Sequence, residues 1–352
     1  MKKIISIIVA VMLIAGSLSA CSNKQNTNNK QDSQAVSDNN TGAKRLNIVT
    51  TIFPEYDWVK NVIGDKIDQI DLTMLLDNGV DLHSYQPTID DILKISSCDM
   101  FIYVGGESDK WVNDALAQAA NQNMIVINLL EVLGDKVKNE EIVEGMEHEH
   151  EHDHEDEEHN HDEDHEEEHD EHEEELDEHV WLSLNNVIIL CDKITENLKK
   201  LDSVNADLYQ SNFDAYKEKL SSLDSQYKAA VNESAVKTLL FGDRFPFRYM
   251  TDDYGLSYYA AFTGCSAETE ASFETVIFLA GKIDEYNLKA ILTIEGNDKK
   301  IAETIKNNTN TKDQKILTLN SMQGITSVDI ENGVTYLSVM TDNLNILKDA
   351  LN

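Results

Sequence analysis

The sequence predicts an α/β protein of two lobes, each with a parallel-sheet core, joined by long helices and holding a cleft between them. Short β-branched runs alternate with helical stretches in two separate blocks, which is the rhythm of parallel sheet. Between the blocks, residues 184–231 keep apolar positions at helical spacing and contain neither Gly nor Pro. The 352 residues suffice for two lobes, each with its own core, even after a leader and a tether are set aside.

The first block, residues 45–182, opens with the strand LNIVTT (46–51), a helix from Pro54 to Ile63 and the strand IDLTMLL (70–76). A helix from Thr88 to Ile95, the strand DMFIYVGG (99–106), a helix from Trp111 to Ala119 and the strand MIVINLL (124–130) follow. Two long helices, Leu184 to Leu201 and Asn205 to Val231, make up the linking segment 183–235, with a break near Asp202-Ser203. The second block, residues 236–352, resumes with TLLFG (238–242), SYYAAF (257–262) and a helix from Phe273 to Tyr286. AILTIEG (290–296), a helix after Asp298, KILTLN (315–320) and a closing helix from Val334 to Leu351 complete it.

Residues 1–20 have the layout of a secretory signal, with Lys2 and Lys3 before an apolar stretch from Ile4 to Leu18. That stretch is shorter than the roughly 20 residues that cross hydrocarbon. Leu18-Ser19-Ala20-Cys21 looks like the lipobox of bacterial lipoproteins, whose Cys takes the lipid. Cys21 is therefore the expected anchor, on the outer face of the cytoplasmic membrane, and residues 21–44 a polar, flexible tether. The formal charge of −36 argues against nucleic acid, which needs clustered Lys and Arg, and favours cations. Cys98, Cys191 and Cys265 are far apart, odd in number and lack Cys-x-x-Cys spacing, so they are assigned packing roles.

Residues Glu147 to Glu175 comprise 19 acidic residues, Asn160 and nine histidines, namely His148, His150, His152, His154, His159, His161, His165, His169 and His172. No core forms from such a run, and like charges keep it open. It is an insertion in a normal domain, and without it the formal charge rises from −36 to −17. Imidazoles suit zinc, copper and nickel, and several in one loop chelate in many alternative ways. The run is expected to collect, buffer or sense metal weakly, because nothing rigid selects one geometry. A tight site needs three or four ligands on rigid elements.

Outside the run the chain has only two histidines, His83 and His179. His83 lies in NGVDLHSYQPTIDD (78–91), a loop at the carboxyl end of a strand, where α/β folds place ligand-contacting groups. A lone loop His is more often a surface residue. His179 lies in DEHVWLSLNN (177–186), where the chain returns to apolar sequence, and the plain alternative is a ring packed beside Trp181.

NGVDLHSYQPTIDDI is similar to the Gly-x-Asp-Pro-His-Ser-Tyr-Glu-Pro-Thr segment of the metal-binding lipoproteins of bacterial ABC importers, the cluster A-I family. DEHVWLSLNN resembles their Asp-Pro-His-Val-Trp-Leu-Ser-Pro segment, and the likeness covers essentially the whole chain after the tether. The resemblance implies two lobes joined by a long rigid helix, with four ligands in the interlobe cleft. It makes His83 and His179 the first two. The zinc branch places a third His in the second lobe, but TLLFGDRFPFRYMTDDYGL (238–256) contains none. Asp243 stands within a residue of that place, and the manganese branch uses a carboxylate there, so Asp243 is the expected third ligand. The plain alternative is that Asp243 pairs with Arg244 or caps a helix. Glu268 and Glu270 are the reserves. Glu295, at the carboxyl end of AILTIE (290–295), matches the fourth position, with a simple turn role as its alternative.

Two histidines and two carboxylates also suit manganese, but nine clustered imidazoles tip the expectation to zinc, with manganese as runner-up. The implied function is capture of zinc outside the cytoplasm and delivery to an ABC permease and its ATPase by a monomeric binding protein. A metallohydrolase is the competing class, yet outside the acidic run the chain has no His-Glu-x-x-His, and it has no Gly-x-Ser-x-Gly elbow or phosphate loop. No catalytic residue is assigned. A surface metal sensor or adhesin of the same fold is a further alternative.

Overall fold

The structure, a computed structural model, describes residues 45–146, 175–266 and 270–352. Cys21, the nine histidines of the acidic run and the reserve Glu268 lie outside the described residues. Strands β1 (Leu46–Thr50), β2 (Ile70–Met74), β3 (Met100–Tyr103) and β4 (Ile125–Asn128) form one sheet in the order β2-β1-β3-β4. Strands β5 (Thr238–Phe245), β6 (Ser257–Thr263), β7 (Ala290–Ile294) and β8 (Lys315–Leu319) form the other in the order β6-β5-β7-β8. Every pairing is parallel, as the alternation of strand and helix predicts. In each sheet the strand order reverses beside its first strand, and ligands bind at the carboxyl ends of strands flanking such a point. Among the described residues no helix is long and apolar enough to cross a membrane.

Two element boundaries differ from the sequence reading. MIVINLL is strand only to Asn128, whose Oδ1 accepts the Glu131 N–H at 3.1 Å and caps the helix Leu129–Leu133. An unbroken apolar run carries no period, and the cap decides where the strand stops. Strand β5 runs on to Phe245, with an irregular register between Phe241 and Arg244 that sets the position of Asp243.

The linking helices are Leu184–Leu201 and Ala206–Glu233. The second has 28 residues, which at about 1.5 Å per residue makes it roughly 42 Å long. It packs on the helix Phe53–Ile63 of the first lobe and on the closing helix Tyr336–Leu351. One apolar cluster therefore continues from Ile48 and Trp58 through Leu190 and Tyr227 to Phe241 and Leu344. A smaller cluster with Leu240, Leu279 and Ile305 covers the other face of the second sheet. The expectation of a separate core in each lobe gives way to a shared one, because the linking helices pack on the helix Phe53–Ile63 of the first lobe and on the closing helix Tyr336–Leu351.

Asp57 is buried in this shared core, where its Oδ2 accepts the Tyr336 N–H at 3.1 Å and Asn61 Nδ2 at 3.0 Å. Burial pushes its carboxyl up to about 6. The unfolded chain titrates near the ordinary value of about 3.9. Since the folded state holds the proton more tightly, stability falls as pH rises from about 4 to 6 and stays lower above that window. Asp57→Asn keeps an oxygen acceptor and removes the ionisation. It should gain about 1–2 kcal/mol at pH 7, read from the denaturant midpoint, with the gain vanishing near pH 4. A variant less stable than the parent at pH 7 would refute this account.

Candidate metal centre

His83 lies in the turn Leu82–Ser84, on the loop that follows β2. Asp81 Oδ1 accepts the His83 backbone N–H at 3.0 Å, and Asp81 Oδ2 pairs with Arg244 Nη2 of the second lobe at 2.7 Å. The ring Nδ1 stands 2.8 Å from Ser108 Oγ and 3.5 Å from Glu178 Oε2. Ser108 in turn donates its N–H to Glu178 Oε1 at 2.9 Å. Gly106, at φ +83°, permits this closeness, because a Cβ there would collide with Glu178 Oε1.

His179 is fully buried, at the entrance to the turn Val180–Leu182. Asp177 Oδ1 accepts its backbone N–H at 2.9 Å and lies 3.0 Å from its Nδ1. Trp181 anchors the following turn by donating Nε1–H to the Ser321 carbonyl at 2.8 Å, while Tyr336 donates its hydroxyl to the Trp181 carbonyl at 2.7 Å. With both Nδ1 atoms engaged, the two Nε2 atoms face each other at 3.2 Å. Two nitrogens bound to one tetrahedral zinc at about 2.0–2.1 Å stand about 3.3 Å apart. The observed separation is close to that edge, and each ring carries the supporting hydrogen bond that metal-binding histidines have.

Burial, then the facing His179 ring, pushes His83 down to about 3. For His179 burial opposes the charged form, but the hydrogen bond and charge of Asp177 outweigh it and raise the pKa. The facing rings thus resist double protonation, and a metal ion binds between such rings through the lone pairs of the neutral imidazoles.

Among the described residues, a third donor joins the pair: the donor atoms of His83, His179 and Cys265 all lie within 4.8 Å of one another. Cys265 follows β6. Gly264 brings this turn against the ring, since a Cβ there would sit 3.0 Å from both His179 Cε1 and the Phe245 carbonyl. Cys265 donates its N–H to Glu140 Oε1 at 2.9 Å, and Arg244 Nη1 donates to the Ser266 carbonyl at 3.3 Å. Burial, then the Glu140 carboxylate, raises the thiol pKa. Gln323, only 7% exposed, places Nε2 3.4 Å from His179 Nε2, while its Oε1 has no hydrogen-bond partner. The two ends of an amide are interchangeable by rotation.

Asp243 and Glu295 are not in this group, which departs from the expected set. Asp243 Oδ2 accepts the Ile294 N–H at 3.0 Å, and Oδ1 accepts the Arg244 N–H at 2.8 Å and an Asn297 N–H. It ties β5 to the end of β7 at the irregular register. Glu295 Oε2 accepts the Ser321 N–H at 2.7 Å, and Oε1 accepts the Ser321 hydroxyl at 2.7 Å and the Gln323 N–H at 3.2 Å. It holds the segment that carries Gln323 against His179. Glu270 is exposed to solvent. Cys98 and Cys191 are buried, in keeping with packing roles, whereas Cys265 is partly buried and its sulfur lies near the two histidines.

The described residues that flank the acidic run pair with each other beside this site. Glu140 donates its N–H to the Glu175 carbonyl at 2.7 Å and Asp177 donates to the Lys138 carbonyl at 2.8 Å, around an antiparallel bridge of Asn139 and Leu176. Two of these residues, Glu140 and Asp177, touch Cys265 and His179. Sequence reasoning passed over Cys265, Gln323, Ser108 and Asp177. Only Cys265 carried a signal, a polar Thr263-Gly264-Cys265-Ser266 setting after a strand's carboxyl end.

The family model described as ZnuA, zinc-uptake complex component A periplasmic, matches residues 48–350. The zinc-binding protein AdcA of Streptococcus pyogenes serotype M3 is 28% identical over 304 residues, which covers 86% of this chain and 56% of that protein. The high-affinity zinc uptake system protein ZnuA of Bacillus subtilis is 29% identical over 307 residues, covering 87% and 88%. The crystal structure of the Zn(II)-bound ZnuA-like domain of Streptococcus pneumoniae AdcA has a TM-score of 0.65 at 26% identity, covering 87% of this chain and 99% of that one. The chain spans just over half the length of the Streptococcus pyogenes relative.

Proposed function

The chain belongs to the ZnuA family of periplasmic zinc-uptake components, and on that premise we propose that it captures zinc outside the cytoplasm and delivers it to an ABC-type membrane permease. The observation that carries this reading is the pair of imidazole Nε2 atoms facing each other at 3.2 Å, each ring held by its other nitrogen. His83 and His179 are the first two ligands. Glu295 supports the site through Ser321 and Gln323, and Asp243 supports it through β7. Withdrawal of both carboxylates from the ligand set weakens the case for manganese, which prefers oxygen donors, and strengthens that for zinc.

The chain acts as a binding protein rather than an enzyme. It is a monomer anchored through lipidated Cys21, and its partners are the permease and its ATPase. Asp81 with Arg244 at 2.7 Å and Glu141 with Arg248 at 3.0 Å join the first block to the second around the site. Docking on the permease loosens this closure and frees the ion. The histidine-acid run gathers exchangeable zinc.

Replacement of residues 147–174 by a short Gly-Ser linker tests the division of labour. One tight zinc should remain per chain in a competition titration, and only the weak, multiple binding should disappear. Loss of the tight site on deletion, with His83→Ala and His179→Ala without effect, would move the site to the insertion and overturn the reading.

A further inference from the structure

We propose that Cys265, as a thiolate, is the third protein ligand of the ion held between His83 and His179, so that this chain binds its metal through a dihistidine-thiolate set. The inference rests on the reading of the cleft as a zinc site and specifies its chemistry. The Cys265, His83 and His179 donor atoms converge within 4.8 Å, whereas the second-lobe carboxylates on which an oxygen-rich site would depend are occupied by backbone and side-chain donors. A separate observation points to the same place. The nearly buried Gln323 amide stands 3.4 Å from His179 Nε2 and its Oε1 is unpartnered, which leaves a neutral oxygen available for the fourth corner when the amide turns over.

The surroundings position the sulfur. Arg244 grips the Ser266 carbonyl one residue beyond Cys265 and Asp81 two residues before His83, so one side chain sets the spacing between the two ligand-bearing loops. Gly264 admits the turn against the His179 ring. A thiolate supplies the negative charge that the displaced carboxylates do not. Thiolate and imidazole together favour zinc, and softer ions such as cadmium, over manganese and magnesium. The selectivity of this chain is thereby placed in one sulfur atom rather than in the insertion.

The test is cobalt(II) titration of the full chain and of Cys265→Ser, followed by near-ultraviolet absorption. Imidazole and carboxylate ligands of the insertion do not produce a thiolate-to-cobalt charge-transfer band, so the wild type should show that band saturating at one cobalt per chain. Cys265→Ser should lack it. Zinc affinity of the variant should fall by roughly 10- to 100-fold, with no comparable fall for manganese. Independently of any variant, bound zinc should slow alkylation of Cys265 by iodoacetamide at least tenfold, measured by mass spectrometry. A wild type without the band, a band that persists in Cys265→Ser, or alkylation at the same rate with and without zinc would overturn the thiolate. If His83→Ala and His179→Ala still abolish tight zinc binding in that case, the function stands and only the third ligand is wrong. If they do not, the cleft is not the zinc site.

Discussion

His179→Ala will lower the zinc affinity of the tight site by roughly 10²–10³-fold, about 3–4 kcal/mol. Structural zinc sites bind with apparent free energies of about 10–16 kcal/mol, shared among about four ligands. His179 is fully buried and its Nε2 lies 3.2 Å from that of His83, so no solvent-exposed group can swing in to replace it. The substitution also leaves Asp177, itself buried, without the imidazole it holds at 3.0 Å. Apo stability will therefore fall as well. His83→Ala, whose side chain is 12% exposed, should cause a similar affinity loss with a smaller stability change. Both are read by competition against a chromophoric chelator, with thermal melts of the apo proteins alongside. Wild-type affinity in either variant would show that the facing rings are not ligands.

Glu295→Ala should destabilise the apo protein by about 3–5 kcal/mol. Its carboxylate accepts three hydrogen bonds from Ser321 and Gln323, and bonds to a charged acceptor contribute about 1.5–3 kcal/mol each without adding fully. The melting temperature should drop by roughly 6–15 °C. The segment that loses its tether carries the Ser321 carbonyl that fixes Trp181 and the Gln323 amide beside His179, so zinc affinity should fall about 10- to 100-fold as well. Glu295→Gln retains one acceptor oxygen and should recover part of both losses. The apo melt separates the two roles open to this residue. A carboxylate that served only as a metal ligand would leave apo stability unchanged, and that outcome would refute the supporting role.

The sequence by itself determined the strand-helix alternation, the two long helices and the two isolated histidines. These are local signals, since apolar periodicity and a short motif are each complete within a few dozen residues. DEHVWLSLNN carried His179 and Trp181 together, and NGVDLHSYQPTIDDI carried His83 with its capping Asp81. Tertiary structure alone decided which second-lobe residues reach those histidines. Glu295 directly follows a strand end and Asp243 lies two residues before one, near the reversal of strand order, where a carboxylate is expected to meet a ligand. Their oxygens are instead consumed by the N–H groups of Ile294, Ser321 and Gln323, and hydrogen bonds between residues 26 to 51 positions apart leave no mark on the sequence around them. Cys265 reads as one more isolated small residue until Gly264 and Arg244 fold its turn onto His179. A metal site is a matter of a few ångströms between loops of two sheets, and only the packed fold sets that distance.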